Sequence, residues 1–350
     1  MPYSDNDLDA AARAGVITSQ QAEALRLFFA QRPADPMRIA PRFDLVHMLW
    51  YAGALIVMSA MGLFSTLAFA AMGGVGLTAT ALVYAVLFGV AGHYLWHTKK
   101  LYTPGGLLIA IAVAMAPLAV YGVQEALGLW TEFGKPGTVR DFYIWIKGSF
   151  VFMELATIAA ALLALWLYRF PFIVFVLAVA LWFLSMDIVP WITGAPHGNW
   201  ETSRKVSVWF GLGVIMTAIV VHGRQQRGDF AYWLYLFGVM TFWGGITAVS
   251  DGTALDKALY CALNVGFLLV ALLLDRVVFA VFGAMGIAIY LGDLADKLFR
   301  DSILFPFALS AIGVLIIGLG LLFHRHQAAL SAWLDARLPA PVQRLRRAPR

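Results

Sequence analysis

SFVFMELATIAAALLALWLY, residues Ser149–Tyr168, carries a single charged side chain, Glu154, in 20 positions. Coiled as an α-helix at about 1.5 Å per residue, such a stretch is about 30 Å long, the thickness of a bilayer's hydrocarbon core. Its two faces differ. Glu154, Thr157, Ala160, Ala161 and Ala164 share one arc, and Val151, Leu155, Ile158, Leu162 and Trp166 share the opposing one. Small and polar residues let helices approach closely, so the first arc is expected to meet other helices and the second to meet lipid.

Nine further runs of this kind surround it: Leu45–Ala71, Gly74–Trp96, Pro104–Leu127, Phe170–Val189, Val206–His222, Phe230–Val249, Asp256–Leu274, Val277–Gly292 and Ser302–Phe323. The sixth and ninth of the ten, at 17 and 16 residues, are the shortest. Apolar residues make up 61% of the 350, and the mean hydropathy is +0.78. A water-soluble chain of that size could not hide so much apolar surface. No alternation of period two appears, which argues against a transmembrane barrel. The fold class predicted is all-α, a polytopic transmembrane bundle of about ten helices. Tryptophans such as Trp50, Trp96, Trp130, Trp145, Trp191 and Trp200 flank the runs as an interfacial belt.

Basic residues orient the bundle. With the N-terminus inside, 17 of the 25 Lys and Arg fall in inner segments and 8 in outer loops, which places both termini in the cytoplasm. The formal charge of +5 is thereby explained by loops facing anionic headgroups, and membrane lipids are the expected partner, not nucleic acid. The single cysteine, Cys261, can form no internal disulfide and no metal cluster. The first 42 residues lack a long apolar run, so the first membrane helix, not a cleavable signal peptide, is expected to direct insertion.

Three regions follow: a cytoplasmic segment over 1–42, the membrane domain over 43–324, and a cytoplasmic tail over 325–350. The first reads as a short helical hairpin. Gly15 closes one helix, and Thr18 with Gln21 forms the capping box of the next, whose stripe is Leu25, Phe28 and Phe29. Pro33, Pro36 and Pro41 make a stiff link to the membrane. In the tail, Leu330, Trp333, Leu334 and Leu338 recur at helical spacing before a basic stretch, the pattern of an interfacial amphipathic helix.

Gly15-Val16-Ile17-Thr18 followed by Gln21-Ala22, ahead of a dense array of apolar runs, resembles the prokaryotic membrane proteins grouped as domain of unknown function 2157. The segment Val277–Phe323, with Gly283, Gly286 and Asp301 to Phe307, is similar in flavour. The resemblance implies a bacterial inner-membrane protein and supplies no catalytic residues. Four helix pairs also repeat a basic turn (Lys99/Lys100, Arg169, Arg224/Arg227, Arg276) and an acid near the far end (Glu125, Asp187, Asp251, Asp293). Hairpin duplication, as in transporters, would produce this pattern, and so would the positive-inside rule acting on any helical array, which is the reading favoured.

Chemistry rests on few residues. Glu154 lies roughly 8 Å below the outer boundary by helix rise, where an ionisable group is a functional candidate by default. Asn264, about 12 Å deep on the eighth run, is the expected hydrogen-bond partner by depth. Thr157 shares the face of Glu154, and Tyr260 that of Asn264, so the candidate intramembrane site is Glu154, Asn264, Thr157 and Tyr260. Asp187 and Asp293 read as boundary carboxylates. Pro117, mid-way along the third run, should kink it. His93 and His97 have chelating i, i+4 spacing but no third ligand, and read as headgroup-level histidines. Gly74-Val75-Gly76-Leu77-Thr78-Ala79 matches a dinucleotide fingerprint yet follows no strand, and no phosphate-binding Walker loop exists. No cofactor, metal or catalytic constellation is expected. The sequence favours a non-enzymatic scaffold or accessory protein, the alternative being a secondary transporter or lipid carrier that uses Glu154.

Overall fold

The computed structural model describes residues 8, 11–31, 45–129, 150–193, 200–224, 229–247 and 254–299, together with 307, 310, 313, 314 and 318. Among these residues the regular structure is helical throughout, with no strand. The chain divides into two compact units, Met1–Ile39 and Ala40–Arg350.

In the first unit a helix closes at Gly15, which adopts the left-handed conformation (φ 72°). The Gly15 N–H donates to Ala12 O at 3.1 Å and the Val16 N–H to Ala11 O at 3.0 Å, so the carbonyls left over by the helix end are satisfied. Helix α1 (Ser19–Gln31) then starts with a reciprocal capping box. The Thr18 N–H donates to Gln21 Oε1 at 2.8 Å, and the Gln21 N–H to Thr18 Oγ1 at 3.2 Å.

The second unit contains α2 (Leu45–His97), α3 (Tyr102–Ala114), α4 (Ala116–Leu127), α5 (Val151–Tyr168), α6 (Phe172–Thr193), α7 (Trp200–Arg224), α8 (Phe230–Thr247), α9 (Ala254–Leu274) and α10 (Val277–Phe299). Seven apolar stretches in these helices are long enough to cross a membrane. The 53 residues of α2 are two antiparallel spans joined at Gly73, whose φ of 62° and ψ of 173° belong to a region open only to glycine. Ring contacts prove the reversal. Tyr51, near the start of α2, packs on Phe172 and Trp233, while Trp96, near its end, packs on Tyr168 and Phe170. Phe172 also touches Trp233, so both ends of α2 lie at one end of the bundle, with the α5–α6 turn and the start of α8.

Nine of the ten expected runs are thus helical. The sixth and ninth, shortest in the sequence, become helices of 25 and 23 residues, because polar end residues continue the helix into the interface. Of the tenth run, Phe307, Ser310, Gly313, Val314 and Gly318 are described and helical. The interfacial helix expected over 325–350 and the proline link after α1 lie outside the described residues.

The third run breaks at Met115, two residues before Pro117, into α3 and α4. Together these two helices form the best covered span, 56% of it buried against 17% for α5. The fourth run, with one covered arc, lies at the edge of this packing. Centre stage belongs to α3, which packs on α2, α5 and α6, and to α8, which packs on α6, α7 and α10. Close crossings hold the hairpins. A Cβ on Gly211 of α7 would lie 2.5 Å from Phe242 N, so only hydrogen fits between those two backbones. Gly74 and Gly76, which mimicked a nucleotide fingerprint, sit on a helix, and Gly74 serves packing: its Cβ position lies 2.3 Å from Ala126 N of α4.

Candidate functional site

The covered stripe on α5 is Glu154, Thr157, Ala161 and Ala164, and the exposed side carries Leu155, Leu162 and Trp166. Glu154 is 8% exposed and faces protein. It lies in the first turn of α5, where the helix dipole favours negative charge. Thr157 donates to Met153 O of its own helix at 2.7 Å, which quiets its hydroxyl without a ligand. Met153 packs against the cluster of Leu77, Ala81, Leu118 and Tyr121, so the segment that follows the Pro117 break adjoins the helix bearing Glu154.

The group that acts electrostatically on Glu154 is a second acid. Hairpin register brings them level: Glu154 is 14 residues before Tyr168 and Asp187 is 15 after Phe172. Both therefore lie about 21 to 22 Å from the α5–α6 turn at helical rise. Asp187, read from sequence as a boundary carboxylate, is 1% exposed and acts electrostatically on Glu154. Among the described residues, Glu154 Oε2 and both Asp187 carboxyl oxygens have no hydrogen-bond partner. Two acids at matched distance from one turn were the signal that sequence reasoning missed.

Asn264 is not the partner of Glu154. It is fully buried, accepts the Trp243 Nε1–H at 3.0 Å on Oδ1, and donates from Nδ2 to Tyr260 O at 2.8 Å. Gly286 of α10 leaves the room it fills, since a Cβ there would come within 1.9 Å of Oδ1. The Tyr260 and Thr247 hydroxyls are 3.0 Å apart. Asn264 and Tyr260 therefore join α8, α9 and α10, while Glu154 and Thr157 belong to the α5–α6 hairpin. The four expected site residues form two separate groups. His93, for its part, has Nδ1 3.1 Å from the Tyr168 hydroxyl, and no group of three or more metal-binding side chains occurs among the described residues.

At the opposite end of the bundle from the two acids lies a polar network that the sequence did not announce. Asp229 precedes α8 and caps it, accepting the Tyr232 N–H at 3.0 Å on Oδ1. Its Oδ2 pairs with Arg276 Nη1 from the α9–α10 turn, and both side chains are buried. Arg276 Nη2 lies 2.9 Å from His222 Nε2 of α7, and His222 Nδ1 lies 3.3 Å from the Tyr235 hydroxyl of α8. Arg276 also sits over the Tyr235 ring, 5.9 Å from its centroid. Arg276 reads in the sequence as one more basic loop residue, and His222 as the last residue of the sixth run. Only the folded turns reveal that they are enclosed.

A bundle of antiparallel apolar helices, basic at its turns and with acids buried within it, defines an integral multi-pass membrane protein of the all-α class. No protein-family model matches the chain, and comparison with curated proteins and with solved structures gives no match.

Proposed function

We propose that the protein is a carrier coupled to protons or cations, working at Glu154 and Asp187, and not a passive scaffold. The single supporting observation is that two buried acids of one helical hairpin, level with each other by register and 8% and 1% exposed, leave three carboxyl oxygens without a hydrogen-bond partner among the described residues. Burying a polar group without a hydrogen bond costs roughly 1–3 kcal/mol, and two adjacent carboxylates repel. A fold that needed these acids only for shape would be expected to satisfy them. A proton shared between them, or a cation bound between them, relieves both penalties, and its uptake and release is the elementary step of coupled transport. The break before Pro117 beside α5 adds a discontinuous helix next to the site, a recurrent feature of transporter sites.

The same proposal places the chain in a bacterial inner membrane with its termini in the cytoplasm, on the partition of basic residues and the resemblance of its N-terminal segment. Reporter fusions at His197 and at the C-terminus should then report opposite sides; agreement between them contradicts this topology. Coupling is tested in proteoliposomes that contain a pH-sensitive dye and are challenged with proton, Na⁺ or K⁺ gradients. Proton movement that depends on the protein and disappears in Glu154→Gln and in Asp187→Asn is expected. Flux unchanged in both variants, or none from the unaltered protein under any of the gradients, returns the chain to a scaffold role.

A further inference from the structure

We propose that His222 is an acid-sensitive latch that ties the α9–α10 turn to the α7–α8 hairpin. The donor count fixes its state. A guanidinium has only hydrogens to offer, so His222 Nε2, 2.9 Å from Arg276 Nη2, must present its lone pair. The ring is then neutral with its proton on Nδ1, which points at the Tyr235 oxygen 3.3 Å away. Adding a proton to Nε2 sets two N–H groups head to head and a second positive charge against Arg276. Asp229 already receives Arg276 Nη1 and the Tyr232 N–H on its two oxygens, and Tyr235 is held beneath the guanidinium. On its own helix the nearest charge is Arg224, exposed and of the same sign; Asp275, beside Arg276, is the remaining acid of that turn.

What a protonated His222 releases is specific. Arg276 is the buried charge of the α9–α10 turn, and Asp275 before it holds a left-handed conformation (φ 54°), uncommon outside glycine. Once Nε2 no longer accepts, the turn loses a charge-assisted hydrogen bond while keeping its backbone strain. Acid should therefore loosen this turn.

Hydrogen–deuterium exchange of the full-length protein in lipid nanodiscs, at pH 7.5 and pH 5, spans the ordinary histidine titration near about 6.5. His222→Gln keeps an acceptor and a donor on one side chain but cannot titrate, and comparing it with the unaltered protein at the same pH cancels intrinsic exchange. Equal protection of peptides covering 271–279 is expected at pH 7.5, and at least roughly tenfold faster exchange in the unaltered protein at pH 5, the factor that accompanies loss of a hydrogen bond to a charged group. Identical acid responses in the two proteins overturn the latch. Should the glutamine variant fold poorly, nitrogen-15 spectra of imidazole-labelled protein decide instead. A His222 proton on Nδ1 at pH 7.5, joined by one on Nε2 at pH 5, supports the latch, whereas a proton on Nε2 at pH 7.5, or no change at pH 5, refutes it.

Discussion

The two ends of the bundle treat buried charge in opposite ways. At the turn end, Arg276, Asp229, His222 and Tyr235 form one connected set in which a cation meets an anion and the guanidinium also meets an imidazole acceptor. Toward the other end, Glu154 and Asp187 set like groups against each other electrostatically and, among the described residues, leave oxygens unmet. A satisfied network is a fastening, costly to cut and useful for holding three chain segments in register. An unsatisfied pair is strain that packing elsewhere must offset, and such strain is retained where a ligand or proton relieves it. Stability and function thus separate along the axis of the helices, and substitutions at the two ends should fall into different classes.

The sharpest contrast comes from cutting the network. Arg276→Leu strands Asp229 in a buried position, and removing one partner of a buried ion pair costs about 3–5 kcal/mol. Thermal or denaturant unfolding in detergent should show this as the largest single loss, while the double variant Arg276→Leu/Asp229→Leu should recover much of it. Equal damage from the single and double changes would mean that the turn needs Arg276 for something other than its charge.

Much of the architecture was legible beforehand, and the reason is solvent. Lipid demands about 20 apolar residues per crossing and tolerates few charges, so helix positions follow from composition alone. The capping box at Thr18 and Gln21 is equally local, a motif of four residues. The inward face of Glu154 could be read too, because Thr157, Ala161 and Ala164 lie at helical spacing from it. What could not be read was which helix a given face meets. Asn264 at the depth of Glu154 seemed its partner, yet depth is one coordinate of three, and Trp243 and Tyr260 claim it instead. Arg276 escaped for a related reason: a basic residue at a turn looks the same in sequence whether water or Asp229 surrounds it.

Asn264 provides an intermediate case, a satisfied polar group within the span. Asn264→Leu removes the acceptor of Trp243 Nε1–H and leaves that donor without its partner in a half-buried setting. The loss should be about 1 kcal/mol, between the usual penalty for an unpaired buried group and the smaller values measured between membrane helices. Gly286→Ala, which puts a methyl group against the Asn264 amide, should cost at least as much through overpacking, roughly 1–3 kcal/mol. If neither variant melts earlier than the unaltered protein, Asn264 does not fasten α8 to α9, and the distinction between the two ends loses its middle term.

The smallest effect on stability is expected at the site with the largest expected effect on function. From the sequence, Glu154→Leu would abandon a hydrogen-bonded partner on another helix and cost roughly 1–3 kcal/mol. Among the described residues Glu154 Oε2 has no hydrogen-bond partner, and the group that acts electrostatically on Glu154 is the acid Asp187. Leucine at this position removes the electrostatic opposition of Asp187 and an unsatisfied oxygen, so the melting temperature should stay level or rise. The change should lie within about 0.5 kcal/mol of zero or on the stabilising side. Coupled proton movement in proteoliposomes should nevertheless vanish, because neither leucine nor glutamine can exchange the proton. A stability gain together with lost flux is the signature of an acid kept for work at the expense of the fold. A clear destabilisation would instead show that Glu154 is fastened after all, and would place it in the same class as Arg276.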